Sequence, residues 1–243
     1  MTSINLSLDV AKALIESAAR TQAEPYGKEK APSVTVTISR EVGAQGTPVA
    51  REVGRLLAWP VYDQEVIDLV AEKLKRPSFL LRRLDERPAT WLDRVIGDIA
   101  NDYKISPSAY LTYLISVVRG LGKIGHCVIV GRGASHILPP ESTLRVRLVA
   151  APADRARVVH ERTGLDIKEA ARWAEQAEHA RVEFVRHNFG VDTADPHRYD
   201  LVLNTSRLSV VSCARIVVDI VRESHHDQSQ GAEAESIATA ESL

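Results

Sequence analysis

Three stretches of the 243-residue chain carry side chains and backbone suited to gripping an anion. The first is Ser39-Arg40-Glu41-Val42-Gly43-Ala44-Gln45-Gly46-Thr47-Pro48, set between a β-branched run and a helical pattern. A strand, a glycine-containing loop and a helix N-terminus form a phosphate cradle, because the loop N–H groups converge and the helix dipole adds partial positive charge. Ser39, Gly43, Ala44, Gln45, Gly46 and Thr47 are its candidate phosphate-holding residues. The loop lacks the G-x-x-x-x-G-K-[ST] signature, having no lysine, and a ligand-free tight turn would use the same residues. The second stretch is Gly131-Arg132-Gly133-Ala134, directly after an apolar run. Small neighbours let the backbone bend and a ligand approach, and the arginine offers a fork for phosphate; an arginine that only meets solvent or a carboxylate is the other reading. The third is Asp63, with Glu65 beside it, able to orient a substrate group, hold Mg²⁺ through water, or cap the following helix.

A fourth group is diffuse. Arg155, Arg157, Arg162, Arg172, Arg181 and Arg186 fall in a helical stretch divided at Thr163-Gly164. Two helices with arginines near a hinge can close over a charged ligand and exclude water. Most of these side chains are expected in solvent, and Glu178 with Arg181, three positions on, can pair along a helix surface. His160, His179 and His187 lack the spacing and companion acids of a metal site.

The elements that must position these groups alternate. Val34–Ser39 is short and β-branched, hence a strand. Pro48–Leu57 reads as a helix with Thr47 as N-cap and Pro48 in its first position. Pro60–Tyr62 is briefly extended, and Gln64–Leu74 is an amphipathic helix. Residues 77–124 read as several helices broken near Pro88 and Pro107. His126–Val130 is a strand buried on both faces, followed by a strand at Leu144–Ala150, helices at Ala153–Arg162 and Ile167–Asn188, a strand at Tyr199–Asn204 and a helix at Val210–Arg222. Such alternation predicts a parallel sheet covered by helices, with ligands at the carboxyl ends of its strands. Residues 1–32 are expected to form an accessory helix and linker, residues 33–223 the main domain, and residues 224–243 a disordered tail.

Composition bounds the rest. The formal net charge is −1, which excludes a polybasic nucleic-acid binder by bulk charge. Of the 31 basic side chains, 23 are arginine, a bias that GC-rich coding or an anion site would both produce. Cys127 and Cys213 form no CxxC pair and read as buried thiols in a reducing compartment. No run approaches a membrane span and no signal peptide is visible, so a cytoplasmic protein with no membrane or nucleic-acid partner is expected. Nothing in the sequence fixes an oligomeric state.

The stretches VTISREVGAQGTPVAREVGRLLAWPVYDQEVI, CVIVGRGASHIL, RVRLVAAPADRARVVHERTGLDIKEA and HARVEFVRHNFGVDTADPHRYDLVLNTSRLS together resemble the cytidylate kinase-like proteins, a branch of the P-loop nucleoside monophosphate kinases. The resemblance implies an α/β P-loop kinase sandwich with a five-stranded parallel sheet, a helical monophosphate-binding insertion and an arginine-bearing lid. It implies transfer of a phosphoryl group from ATP to CMP or dCMP, with Mg²⁺ bridging the phosphates. Gly43 and Gly46 match the phosphate-loop glycines, Ser39 and Arg40 the entry to that loop, and Asp63 the acid after the second strand. Arg132 matches the arginine that holds the acceptor phosphate, and Arg155, Arg162 and Arg181 match lid arginines, with Arg155 expected on the ATP phosphates. The departures are specific. Gly46 stands at the phosphate-loop lysine of true cytidylate kinases, Pro48 at the Ser/Thr beyond it, Val130 at the acid before Gly-Arg, and Glu178 at a usual aspartate. The cytosine-reading residues have no clear counterpart. Arg40, at the strand end, is the expected substitute for the lysine. A nucleotide-binding regulator without catalysis, or a kinase of another small phosphate acceptor, would keep the same pattern.

Overall fold

The computed structural model describes residues 34–63 and 107–223. The accessory helix and linker before residue 34, the helix expected over 64–74, the helical stretch before Pro107 and the tail from 224 lie outside the described residues.

Five strands form one parallel sheet: β1 (Thr35–Arg40), β2 (Val61–Tyr62), β3 (Val128–Val130), β4 (Thr143–Val149) and β5 (Leu201–Asn204), in the order β2-β3-β1-β4-β5. All four pairings are parallel, with Val36 opposite Val128 and Ser39 opposite Arg147. The chain leaves β1 toward β2 on one side and returns from β3 to β4 on the other. This reversal puts a crevice at the carboxyl end of β1.

Strand alternation decides what each face meets. Val36, Ile38, Val128, Val130, Val146 and Leu148 point to one face. There they pack on α1 (Gly46–Leu57) through Val49, Ala50 and Val53, and on the helix at residues 210–223 through Cys213, Val217 and Val221. On the opposite face Ile129 packs on α2 (Pro107–Ile124) through Leu114, Val118 and Leu121. Thr37 and Ser39 share that second face, and both are covered: Ser135 Oγ donates to Thr37 Oγ1 at 3.1 Å, and Arg147 donates to Ser39 Oγ at 2.9 Å. The sheet therefore has one apolar face and one partly polar buried face.

The loops turn where the backbone can go left-handed. Strand β3 starts two residues later than expected because Gly125 (φ 66°) and His126 (φ 48°) form a left-handed turn before it. Helix α1 starts at Gly46 rather than Pro48, and its N-cap is Gln45 (φ 57°), with no side-chain cap hydrogen bond. Thr47 is thus not the cap. Pro48 is still in the first turn, where its missing N–H costs nothing. After a short helix α3 (Ala134–Ile137), α4 (Pro152–Thr163) and α5 (Ile167–Phe189) form a hairpin. Gly164 ends α4 in left-handed geometry, and the Asp166 carboxylate caps α5 by accepting from Lys168 and Glu169 N–H groups. Among the described residues no helix is long and apolar enough to cross a membrane.

Both cysteines sit in the core, Cys127 at 2% exposure and Cys213 at 0%. Burial pushes the Cys127 thiol up to about 12, far from thiolate formation at neutral pH. A water-soluble aromatic disulfide at pH 8 is expected to titrate neither thiol in the native protein and both after denaturation. Stoichiometric reaction of either within minutes in the native state would contradict this packing.

Candidate active site

The site gathers at the carboxyl edge of the sheet, around Arg40. As the last residue of β1, Arg40 sends its side chain across the start of α1. A Cβ on Gly46 would lie 2.5 Å from Arg40 Cγ and 2.9 Å from its Cβ. Its guanidinium then reaches the turn after β3, where a Cβ on Gly131 would fall on Arg40 Nη1. Two glycines at separate strand ends thus leave room for one arginine. Arg40 joins the loop after β1 to the Gly131-Arg132-Gly133 turn.

On the loop side, backbone donors are held open. The Val42 N–H donates to Glu178 Oε2 at 2.8 Å, and the Ala44 N–H to the Glu41 carbonyl at 3.1 Å. Ala44, expected among the phosphate donors, therefore spends its N–H within the loop. Among the described residues no acceptor takes the N–H of Gly43, Gln45, Gly46 or Thr47. These donors and the uncapped N-terminus of a 12-residue helix make an anion cradle. The loop is braced from outside by Arg155. Its Nε donates to the Val42 carbonyl at 2.8 Å, its Nη1 lies 3.5 Å from Glu41 Oε2, and its backbone packs where a Gly43 Cβ would be. Arg155, read from sequence as a phosphate contact, has its guanidinium committed to the loop's own carbonyl and carboxylate.

On the other side of Arg40 lies a cavity of about 480 Å³, between the polar sheet face and α5. Its basic walls are Arg40, Arg132, Arg147 and Arg181, with Glu178 as the acid among them. Ser39 lines it as well, but residues 43–47 do not. The cradle and the cavity are therefore adjoining spaces separated by Arg40. Arg132 holds left-handed backbone geometry (φ 52°), uncommon for a non-glycine residue and a form of stored strain that concentrates at functional sites. Its guanidinium carbon stands 5.9 Å from the centre of the Phe184 ring on α5. Asp63 follows β2 at the same edge, close enough for its charge to act on Arg40.

Arg162, at the end of α4, is exposed and stacks over Trp173, 5.8 Å from that ring. It remains near enough to Arg181 to repel it. The structure thus brings Arg40, Arg132 and Arg181 together, with Asp63 beside Arg40. Arg162 belongs to the α4–α5 hairpin, and Arg155 stands behind the loop.

The electrostatics show crowded positive charge. Burial, then repulsion from Arg181 and Arg132, pulls the Arg40 guanidinium down to about 10, only partly opposed by Glu178 and Asp63. Arg181 is also lowered, first by burial, with Arg162, Arg132 and Arg147 adding repulsion. Such a cluster favours an anion brought against it. His136, in the cavity wall, is pushed down to about 4 by burial and neighbouring arginines, so it is neutral at physiological pH.

Two residues of the site were not found by sequence reasoning. Glu178 was expected on the helix surface beside Arg181. It turns inward instead, to the Val42 N–H and, through Oε1 at 3.6 Å, to Arg147. Arg147 passed as part of an apolar strand. The available signal was its alternation: Arg145 and Arg147 share a face opposite Leu144, Val146 and Leu148, in register with Thr37 and Ser39 of β1.

The sequence profile of the cytidylate kinase-like family matches residues 35–207, spanning the loop, the Arg132 turn, the helical hairpin and β5. The chain belongs to the cytidylate kinase-like family. Among relatives, a cytidylate kinase of Pyrobaculum calidifontis is 27% identical over 189 residues, covering 77% of this chain and 92% of that protein. A cytidylate kinase of Methanopyrus kandleri is 36% identical over 89 residues, covering 36% of this chain and 46% of the other. In fold, the chain is similar to the crystal structure of an uncharacterized protein from Eubacterium ventriosum, with a TM-score of 0.59 at 19% identity, over 78% of this chain and 98% of that one.

Proposed function

We propose that this kinase transfers a phosphoryl group from ATP to a nucleoside monophosphate, with CMP or dCMP as acceptor. The observation that carries the reading is the Arg40 guanidinium, set between a cradle of unclaimed backbone N–H groups and an arginine-walled cavity. Transfer between two phosphates needs positioning and charge neutralisation more than covalent chemistry by the protein. In this reading the N–H groups of Gly43, Gln45, Gly46 and Thr47 hold the donor phosphates. Arg132 holds the acceptor phosphate, and Asp63 orients the acceptor. Arg40 faces both and neutralises charge on the group in transfer. Arg181 and Arg162 approach from the lid and exclude water as it closes.

A divalent cation would find the carboxylate of Asp63 at this edge, near Arg40. Among the described residues no group of three or more potential metal ligands gathers. This donor set suits Mg²⁺, which keeps several waters and takes few protein ligands beside substrate phosphates. When bound it would supply further neutralisation of phosphate charge.

The test is ADP release, followed by a coupled assay with Mg-ATP and a panel of nucleoside monophosphates. Turnover with CMP or dCMP, and weaker turnover with purine monophosphates, is expected. Turnover confined to another small phosphate acceptor would replace the acceptor assignment. Nucleotide binding without any turnover would favour the regulator, a reading also supported by the carboxylate of Glu178 on the loop N–H of Val42.

A further inference from the structure

Arg147 is 7% exposed, on β4, in the wall of the cavity. A buried guanidinium is costly unless its donors are matched. One arm donates to Ser39 Oγ at 2.9 Å, and the Ser39 hydroxyl is 3.4 Å from the Tyr199 hydroxyl, whose ring centre lies 5.9 Å from the Arg147 guanidinium carbon. The other arm faces Glu178 Oε1 at 3.6 Å. Among the described residues the acid paired with Arg147 is Glu178, a residue of the lid helix α5. The second oxygen of that carboxylate accepts the Val42 N–H of the phosphate loop. One carboxylate thus ties together the sheet, the lid helix and the loop.

The arrangement is selective because Glu178 has competitors. Its charge also acts on Arg40 and on Arg181, three residues along the same helix. Without Arg147 the carboxylate can turn to either and release the Val42 N–H. Arg181 and Phe184, the residue beneath the Arg132 guanidinium, ride on the same helix. Their placement follows from where Glu178 is fastened.

We infer that Arg147 is a positioning residue: by fastening Glu178 it holds the lid helix against the phosphate loop and so sets the donor cradle and the lid arginine together. This rests on the proposed kinase reading for its consequence in catalysis, but the fastening itself can be observed without nucleotide.

The experiment uses the full chain with Arg147→Met, Arg147→Lys, Glu178→Gln and the Arg147→Met/Glu178→Gln double variant, each checked by circular dichroism and thermal melting. The first readout is amide hydrogen exchange without ligand. In Arg147→Met, exchange at Val42 and along α5 is expected to rise about tenfold, although Arg147 touches neither amide. Arg147→Lys, which keeps the charge, should recover part of the protection. The second readout is calorimetric binding of Mg-ADP: affinity is expected to fall about tenfold in Arg147→Met, with the double variant no worse than the more affected single variant. Unchanged exchange at Val42 in folded Arg147→Met, or effects that simply add in the double variant, would overturn the inference. Where wild type binds no Mg-ADP, the kinase reading falls with its catalytic consequence, and the exchange data alone decide whether Arg147 fastens the lid. Should Arg147→Met fail to fold, Glu178→Gln answers in its place, because the amide oxygen can still accept from Val42 while Arg147 loses its countercharge. Wild-type exchange at Val42 in that variant would likewise overturn the inference.

Discussion

Arg40→Ala is expected to abolish most turnover while leaving the protein at least as stable as wild type. Removing a cation that faces a transferring phosphoryl group costs roughly 10³-fold or more in kcat where such arginines have been tested in related chemistry. The loop from Glu41 to Thr47 holds no lysine to take over, and the Arg40 stem lies against Gly46. Stability should move the other way. The guanidinium is held at about 10 by burial and by Arg181 and Arg132, so its charged form is disfavoured in the fold. Relief of that penalty is on the order of 3 kcal/mol. The aliphatic stem lost with it is worth roughly 1–2 kcal/mol of apolar burial. The two nearly cancel, with a margin toward stabilisation, as expected where a site is organised for charge rather than for folding. Steady-state kinetics with Mg-ATP and CMP, alongside thermal unfolding, check both halves. A kcat/KM within twofold of wild type would remove Arg40 from the mechanism. A large fall in Tm would show that it acts through the fold.

Gly46→Lys should inactivate the enzyme, although it places in the loop the lysine that the G-x-x-x-x-G-K-[ST] signature carries. The new Cβ would lie 2.9 Å from the Cβ of Arg40, which no rotamer change can move, and 2.5 Å from its Cγ. Overpacking of this kind costs typically about 1–3 kcal/mol, and it would add a second cation to one already repelled by its neighbours. The exchange Arg40→Gly/Gly46→Lys removes the clash and restores one cation beside the loop. Its kcat/KM is expected to exceed that of Arg40→Gly by at least about tenfold, and that of Gly46→Lys by a similar factor. Contacting residues depart from additivity in this way, whereas independent ones do not. A double variant as inactive as the sum of the two single losses would show that the arginine and the lysine do different work.

The helices and strands around this site follow from local rules. The β-branched run before the loop, the apolar run at Val128–Val130 and the periodicity of α4 and α5 mark their elements directly. Errors lie at ends, where chemistry is local but conformation is not. Thr47 looked like a cap because its side chain is of the right type. The helix begins earlier because Gln45 adopts left-handed backbone geometry as its N-cap, while nearby Gly43 packs on the Arg155 backbone. The same packing turned Arg155 from an apparent ligand contact into a brace.

What the sequence determined by itself is the inventory and its order. A glycine-bearing loop follows the first strand, an arginine lies between glycines after the third, an acid follows the second, and a hairpin rich in arginine comes late. Those are features of neighbouring residues, fixed by turn chemistry and periodicity. Only the tertiary structure decided which charges meet. Arg40 and Gly131 are distant in sequence but share one space, and Glu178 abandons its helix neighbour for Val42 and Arg147. The reason is physical: strand order and side-chain alternation set distances between elements, and the pull among buried charges depends on those distances and on lost solvent, neither of which is written in local spacing.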